Sequence, residues 1–157
     1  MRLEYFQLLD RVIEVDTAGR KITAEAVIPA NNTIFEGHFP GFPLMPGALL
    51  LEVMAQASGW LVLSLNRFER MAFLVAAKEV KFRTFAKPGQ ALSVYAELVH
   101  EGSGYAITSA SVAVDDKVIC DAEITLRLLE FPNAETKQQM RVMAARVGLP
   151  TGAPADG

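Results

Sequence analysis

The sequence predicts an α+β domain in which a curved antiparallel β-sheet wraps around one long central α-helix. Three observations carry this. One twenty-one-residue segment, PGALLLEVMAQASGWLVLSLN from Pro46, is hydrophobic all round, with Glu52 and Gln56 as its first polar interruptions before Ser58 and Ser64. Several other segments alternate apolar and polar residues with period two, as half-buried strands do. Turn residues separate those runs at short intervals, which suits antiparallel pairing. At 157 residues, with 51% hydrophobic and 21% charged residues, the chain makes one domain with a real core.

In chain order, Leu3, Phe6 and Leu9 at spacing three predict a turn or two of helix before the first strand. Residues 21–28 form a strand with Ile22, Ala24, Ala26 and Ile28 on one face. Pro46 suits the first helical position, and twenty residues at about 1.5 Å each make a rod near 30 Å long. So apolar a helix either spans a membrane or is wrapped by protein. The wrapped reading is preferred, because a near-central acid costs about 2.5–3.5 kcal/mol in a bilayer and the amphipathic strands need a core.

Residues 72–77 and 79–85 read as two further strands, with Pro88-Gly89 turning into a meander over residues 91–128. Within it, Leu92, Val94, Ala96 and Leu98 share a face. So do Val118, Cys120, Ala122, Ile124, Leu126 and Leu128, opposite Asp121, Glu123, Thr125 and Arg127. Gly102-Ser103-Gly104 and Asp115-Asp116 supply the turns. Asn133 caps a short helix whose stripe is Met140, Met143, Ala144 and Val147, and the Gly/Pro/Ala-rich end predicts a flexible tail. The expected division is a sheet-and-helix domain over 1–131, a helical extension over 132–147 and a tail over 148–157.

Composition excludes several functions. Lys+Arg 15 against Asp+Glu 18 gives a net charge of −3, without the basic excess that nucleic acid demands. One cysteine forms no internal disulfide, and two histidines build no multi-histidine zinc site. No metal is expected. MRLEYFQLLDRVIEV holds no uninterrupted apolar core of a secretion signal, so a cytoplasmic location is expected.

The chemistry concentrates just before the long helix. Residues 31–47 hold three prolines and three glycines around His38. A lone histidine is ordinarily a hydrogen-bonded structural group, but this loop feeds directly into a helix carrying Glu52, with Gln56 one turn further on the same face. Desolvation disfavours the charged form of an unpaired buried carboxyl, so Glu52 is expected to hold its proton at neutral pH. A neutral imidazole beside a protonated carboxyl removes a proton at one atom and donates one to a neighbouring leaving group. Free N–H groups near Gly47 at the helix start offer an acceptor site for negative charge on a carbonyl oxygen. These residues specify proton abstraction beside a carbonyl; dehydration, isomerisation and hydration all remain open to them.

The segment GHFPGFPLMPGALLLEVMAQASG, residues 37–59, resembles the signature of the FabZ-type 3-hydroxyacyl-[acyl-carrier-protein] dehydratases, which have the hotdog fold. The likeness includes the histidine, both Pro-Gly steps, the Met-Pro-Gly entry and the acid fourteen positions on (52 − 38 = 14). KEVKFRTFAKPGQAL, residues 78–92, is similar to the following strand pair, so the likeness spans residues 5–130. It implies a dimer often assembled into hexamers, an acyl carrier protein as substrate carrier, no cofactor and a cis peptide at His38–Phe39.

By the same resemblance, His38 and Glu52 are the catalytic pair, meeting across the dimer interface, and glutamate favours dehydration over isomerisation. The Gly47 N–H polarises the thioester carbonyl, and Gln56 supports the acid. Phe42, Leu44, Met45, Ala48 and Phe82 are implied tunnel residues, although bare hydrophobes also serve as core. Lys78, Lys81, Arg83 and Lys87 are a candidate docking patch for the acidic carrier, or simply a solvated strand face. Gln90 stands where the family usually has an acid, and the chain after Phe131 extends past the usual end. That tail, with the LEYFQ start, resembles the branch acting on very-long-chain acyl groups of lipid A. Two rivals remain: a hotdog acyl thioesterase and a non-catalytic acyl-binding hotdog protein.

Overall fold

The computed structural model describes residues 1–150. Its elements are a 3-10 turn at Leu3–Tyr5, strands β1 (Arg11–Asp16) and β2 (Lys21–Val27), helices α1 (Thr33–Gly37) and α2 (Gly47–Leu65), strands β3 (Arg70–Phe82), β4 (Ala91–Gly102), β5 (Tyr105–Val114) and β6 (Lys117–Glu130), and helix α3 (Ala134–Arg146). The six strands form one antiparallel sheet in the order β1-β2-β4-β5-β6-β3. Five of them, β2 to β6, pack against α2. Adjacent strands lie about 4.8 Å apart and a helix is only about 10 Å across, so five strands reach one helix only if the sheet curves around it.

Pro46 caps α2 and Asn66 ends it. By length and composition α2 is apolar enough to cross a membrane, yet its side chains from Leu50 to Leu63 are largely buried within the protein. Ile22, Ala24, Ala26 and Ile28 of the β2 segment, and Leu92, Val94, Ala96 and Leu98 of β4, complete the core with it. Cys120 is buried there, and desolvation pushes its thiol up to about 11, with the Asp121 charge adding to the rise. It is therefore no nucleophile at neutral pH.

One polar pair sits inside this apolar core. Ser58 of α2 and Thr108 of β5, both fully buried, share a 2.6 Å hydroxyl hydrogen bond. Removing one partner strands the other away from water. Ser58→Ala is expected to cost about 1–3 kcal/mol, read as a lower urea midpoint, and Ser58→Ala with Thr108→Val to recover part of it.

The structure departs from the sequence expectations at its irregular positions. The two strands expected over 72–85 are one, β3, whose pairing with β6 slips between Lys78 and Lys81, where Glu79 has φ 51°. Val118 is exposed and Ile119 buried in its place, because the pairing of β5 with β6 shifts between Val112 and Ala113 and re-aims the side chains. Strand β1 was hidden by a shift between Val12 and Glu14, which puts Val12 and Val15 at an odd spacing. The expected N-terminal stripe is correct for Leu3 and Leu9, while Phe6 is exposed and Leu8 buried.

Asn133 accepts a hydrogen bond from the Thr136 N–H (2.7 Å) at the start of α3. Ala144 is buried, and Met140, Met143 and Val147 pack on the core. The Val147 carbonyl accepts from the Val12 N–H (2.7 Å), which ties the end of α3 to β1. In the segment expected to be a tail, Leu149 is buried, and residues 151–157 lie outside the described residues.

Candidate active site

His38 caps the C-terminus of α1, a short helix that Asn32 starts by accepting from the Ile34 N–H (3.0 Å). Its own N–H donates to the Ile34 carbonyl (3.1 Å), and its carbonyl accepts from the Leu44 N–H (2.9 Å). Between those anchors Phe39-Pro40-Gly41-Phe42 forms a tight turn, closed by Phe39–Phe42 backbone hydrogen bonds of 2.9 Å in both directions. Pro40 presets the first central position, and Gly41 takes φ 73° at the second, which a side chain resists. The His38–Phe39 peptide is cis. The half-buried imidazole lies 3.9 Å, centroid to centroid, from the Phe39 ring. The Met45 N–H donates to the Ala86 carbonyl (2.8 Å), pinning the loop end beside β3.

Glu52 is half-buried and not sealed in hydrocarbon: its Oε1 accepts from Gln56 Nε2 at 3.2 Å. Gln56 also donates to the Phe6 carbonyl (2.9 Å) and accepts from the Leu8 N–H (3.0 Å). It therefore fixes the N-terminal segment and the acid at once, a link that the sequence placed only as a neighbour of the acid. Both residues line a cavity of about 380 Å³. Its first wall is one face of α2, running from Glu52 through Ala55, Gln56, Gly59 and Trp60 to Leu63. Phe6 and Leu9 of the N-terminal segment, Met71 and Leu74 of β3, Leu126 of β6, and Met140 and Met143 of α3 close the others.

The structure thus brings Glu52 and Gln56 together, while His38 and Gly47 lie outside this lining. None of the five implied tunnel residues lines it either. Leu44 and Met45 are buried, Met45 as a member of the hydrophobic core. Phe42, Ala48 and Phe82 are exposed on the protomer surface. A Cβ on Gly47 would stand 3.2 Å from the Phe82 ring, so Gly47 lets that ring cover the head of α2. Of the four cations, Arg83 pairs with Asp121 (2.7 Å), and Lys78 and Lys81 stand opposite Glu123 and Asp121 in register; Lys87 is exposed. Trp60, Met71 and Met140 of the cavity went unnoticed as site residues, since nothing in their spacing ties three separated segments together. Among the described residues no cluster of metal-ligating side chains occurs.

The model of the FabA-like domain matches residues 2–123. The chain belongs to the FabA-like family. It is similar to a 3-hydroxyacyl-[acyl-carrier-protein] dehydratase FabZ of Levilactobacillus brevis, 40% identical over 118 residues, covering 74% of this chain and 79% of that protein. A protein of the same name from Chlamydia pneumoniae is 36% identical over 128 residues, 80% of this chain and 84% of its own. Among solved structures, a hypothetical thioesterase with coenzyme A from Streptococcus pneumoniae superposes with a TM-score of 0.62 at 14% identity, covering 78% of this chain and 88% of that one. A conserved protein of Pseudomonas aeruginosa gives 0.63 at 19%, over 80% and 91%. At such identities these likenesses establish the shared hotdog fold of this FabA-like protein, and nothing of its chemistry.

Proposed function

We infer that this FabA-like protein dehydrates (3R)-3-hydroxyacyl thioesters borne by acyl carrier protein to trans-2-enoyl thioesters, as a step of fatty acid synthesis. The observation that carries the mechanism is the position of Glu52, a carboxyl held by Gln56 in the lining of an otherwise largely apolar cavity on the core helix. An acid so placed faces a substrate whose reacting end is polar and whose tail is not.

The His38 imidazole takes the proton from C2, and the C–H electron pair becomes the C2=C3 bond. The C3–O bond breaks as Glu52 gives its proton to the departing hydroxyl, which leaves as water. Negative charge gathers meanwhile on the thioester oxygen, where the Gly47 N–H at the positive end of α2 receives it. His38 does not line the cavity that holds Glu52, and the family resemblance implies a working site that combines His38 of one protomer with Glu52 of a second copy. That arrangement would also give Phe42 and Phe82, exposed on a lone protomer, an apolar setting at the shared interface. Lys78, Lys81 and Lys87 remain the docking candidates for the carrier, Arg83 being already neutralised by Asp121.

The test is to supply 3-hydroxyacyl carrier proteins of several lengths and follow the acyl group by mass. Loss of one water is the expected result. Release of free carrier thiol would instead mark a thioesterase, and a bound acyl group left unchanged would mark a non-catalytic binder.

A further inference from the structure

We propose that α3 sets the acyl-chain length this protein accepts, with Met140 and Met143 forming the movable wall of the pocket that receives the substrate tail. The proposal rests on the dehydratase reading for the identity of its ligand. Its evidence is the cavity itself. Glu52 marks the reacting end, and the α2 face from Glu52 to Leu63 continues eleven residues, about 16 Å, as an apolar wall. A volume of about 380 Å³ lies within the range of sites that enclose small molecules.

Opposite this face stand Met140 and Met143, one turn apart on α3. Helix α3 lies beyond residue 123, where the family match ends. It is anchored at its far end by buried Ala144 and Leu149 and by the Val147 carbonyl on β1, while the two methionines are only half-buried. Methionine, unbranched and adaptable, suits a wall that must accommodate tails of different length.

Trp60 makes the occupancy directly observable, since it is the sole tryptophan of the chain, lies in the cavity lining and is 7% exposed. Each buried methylene is worth roughly fourfold in affinity, so excluding two of them changes discrimination by more than tenfold.

The test has two arms on the full chain. In the first, long- and short-chain 3-hydroxyacyl carrier proteins compete in one reaction, so the fraction of folded enzyme cancels from the ratio of their kcat/KM values. Met140→Phe with Met143→Phe is expected to lower the long-to-short ratio about tenfold, and Met140→Ala with Met143→Ala to raise it. Opposite signs are what a wall produces and a merely structural helix does not. In the second arm, a palmitoyl-pantetheine brominated near its tail end is titrated against wild-type protein. Quenching of Trp60 fluorescence is expected, weaker in the double phenylalanine variant. A ratio unmoved by both double variants, or no quenching of Trp60 at saturation, overturns the proposal. If no chain is dehydrated but Trp60 is quenched and the phenylalanine variant weakens it, the acyl pocket stands and only the dehydratase reading falls.

Discussion

His38→Ala and Glu52→Gln are each expected to lower kcat for dehydration by about 10²–10⁴-fold, the usual contribution of a positioned general acid or base. The reason lies in the reaction: each variant removes one of the two proton transfers, and water does not replace a group held at the right atom. Stability should hardly move. The His38 imidazole stacks on the Phe39 ring, and the loop is held by backbone hydrogen bonds that alanine keeps. Glutamine at position 52 keeps the volume and an oxygen to accept from Gln56 Nε2, while losing only the titrating proton. Urea midpoints within about 0.5 kcal/mol of wild type, as for ordinary surface substitutions, would show that the fold is intact. Near-wild-type turnover by either variant would end the assignment.

How much of this was legible beforehand depends on the range of the interaction. Strands β2 and β4 announce themselves because every second residue enters the core, from Ile22 to Ala26 and from Leu92 to Leu98. Helix α2 does so because water tolerates neither its front nor its back. Where the ladder slips, at Glu79 or near Ile119, the period fails, since the cause is a pairing with a distant strand that a local pattern does not encode. Helix α1, five residues long, is too short to show a period at all. The site divides the same way. His38, Gly47, Glu52 and Gln56 lie within nineteen consecutive positions and form one readable motif. The cavity wall gathers Phe6, Trp60, Met71 and Met140 from across the chain, and only the fold makes them neighbours.

Mixing the two inactive variants is expected to restore activity, and the shape of the protomer says why. Strand β3 is an edge of the sheet, thirteen residues long, with Phe73, Leu74, Val75 and Phe82 each at least 40% exposed. A long apolar edge invites pairing with another strand, and the same edge of a second copy, related by a two-fold axis, satisfies it. Beside that edge lies the end of the His38 loop, where Gly47 sits against the Phe82 ring, so a partner paired there would bring its own loop near Glu52. In a mixture of equal parts, half the dimers are mixed and each carries one site with both wild-type groups, so activity should return to about a quarter of the wild-type value. Subunit exchange is followed independently, by a mass tag on one variant. Dilution provides the companion measurement: turnover per chain should fall in step with dimer dissociation seen by light scattering. Exchange without rescue, or a fully active monomer, would place His38 and Glu52 in one chain and leave the exposed β3 edge with some other purpose.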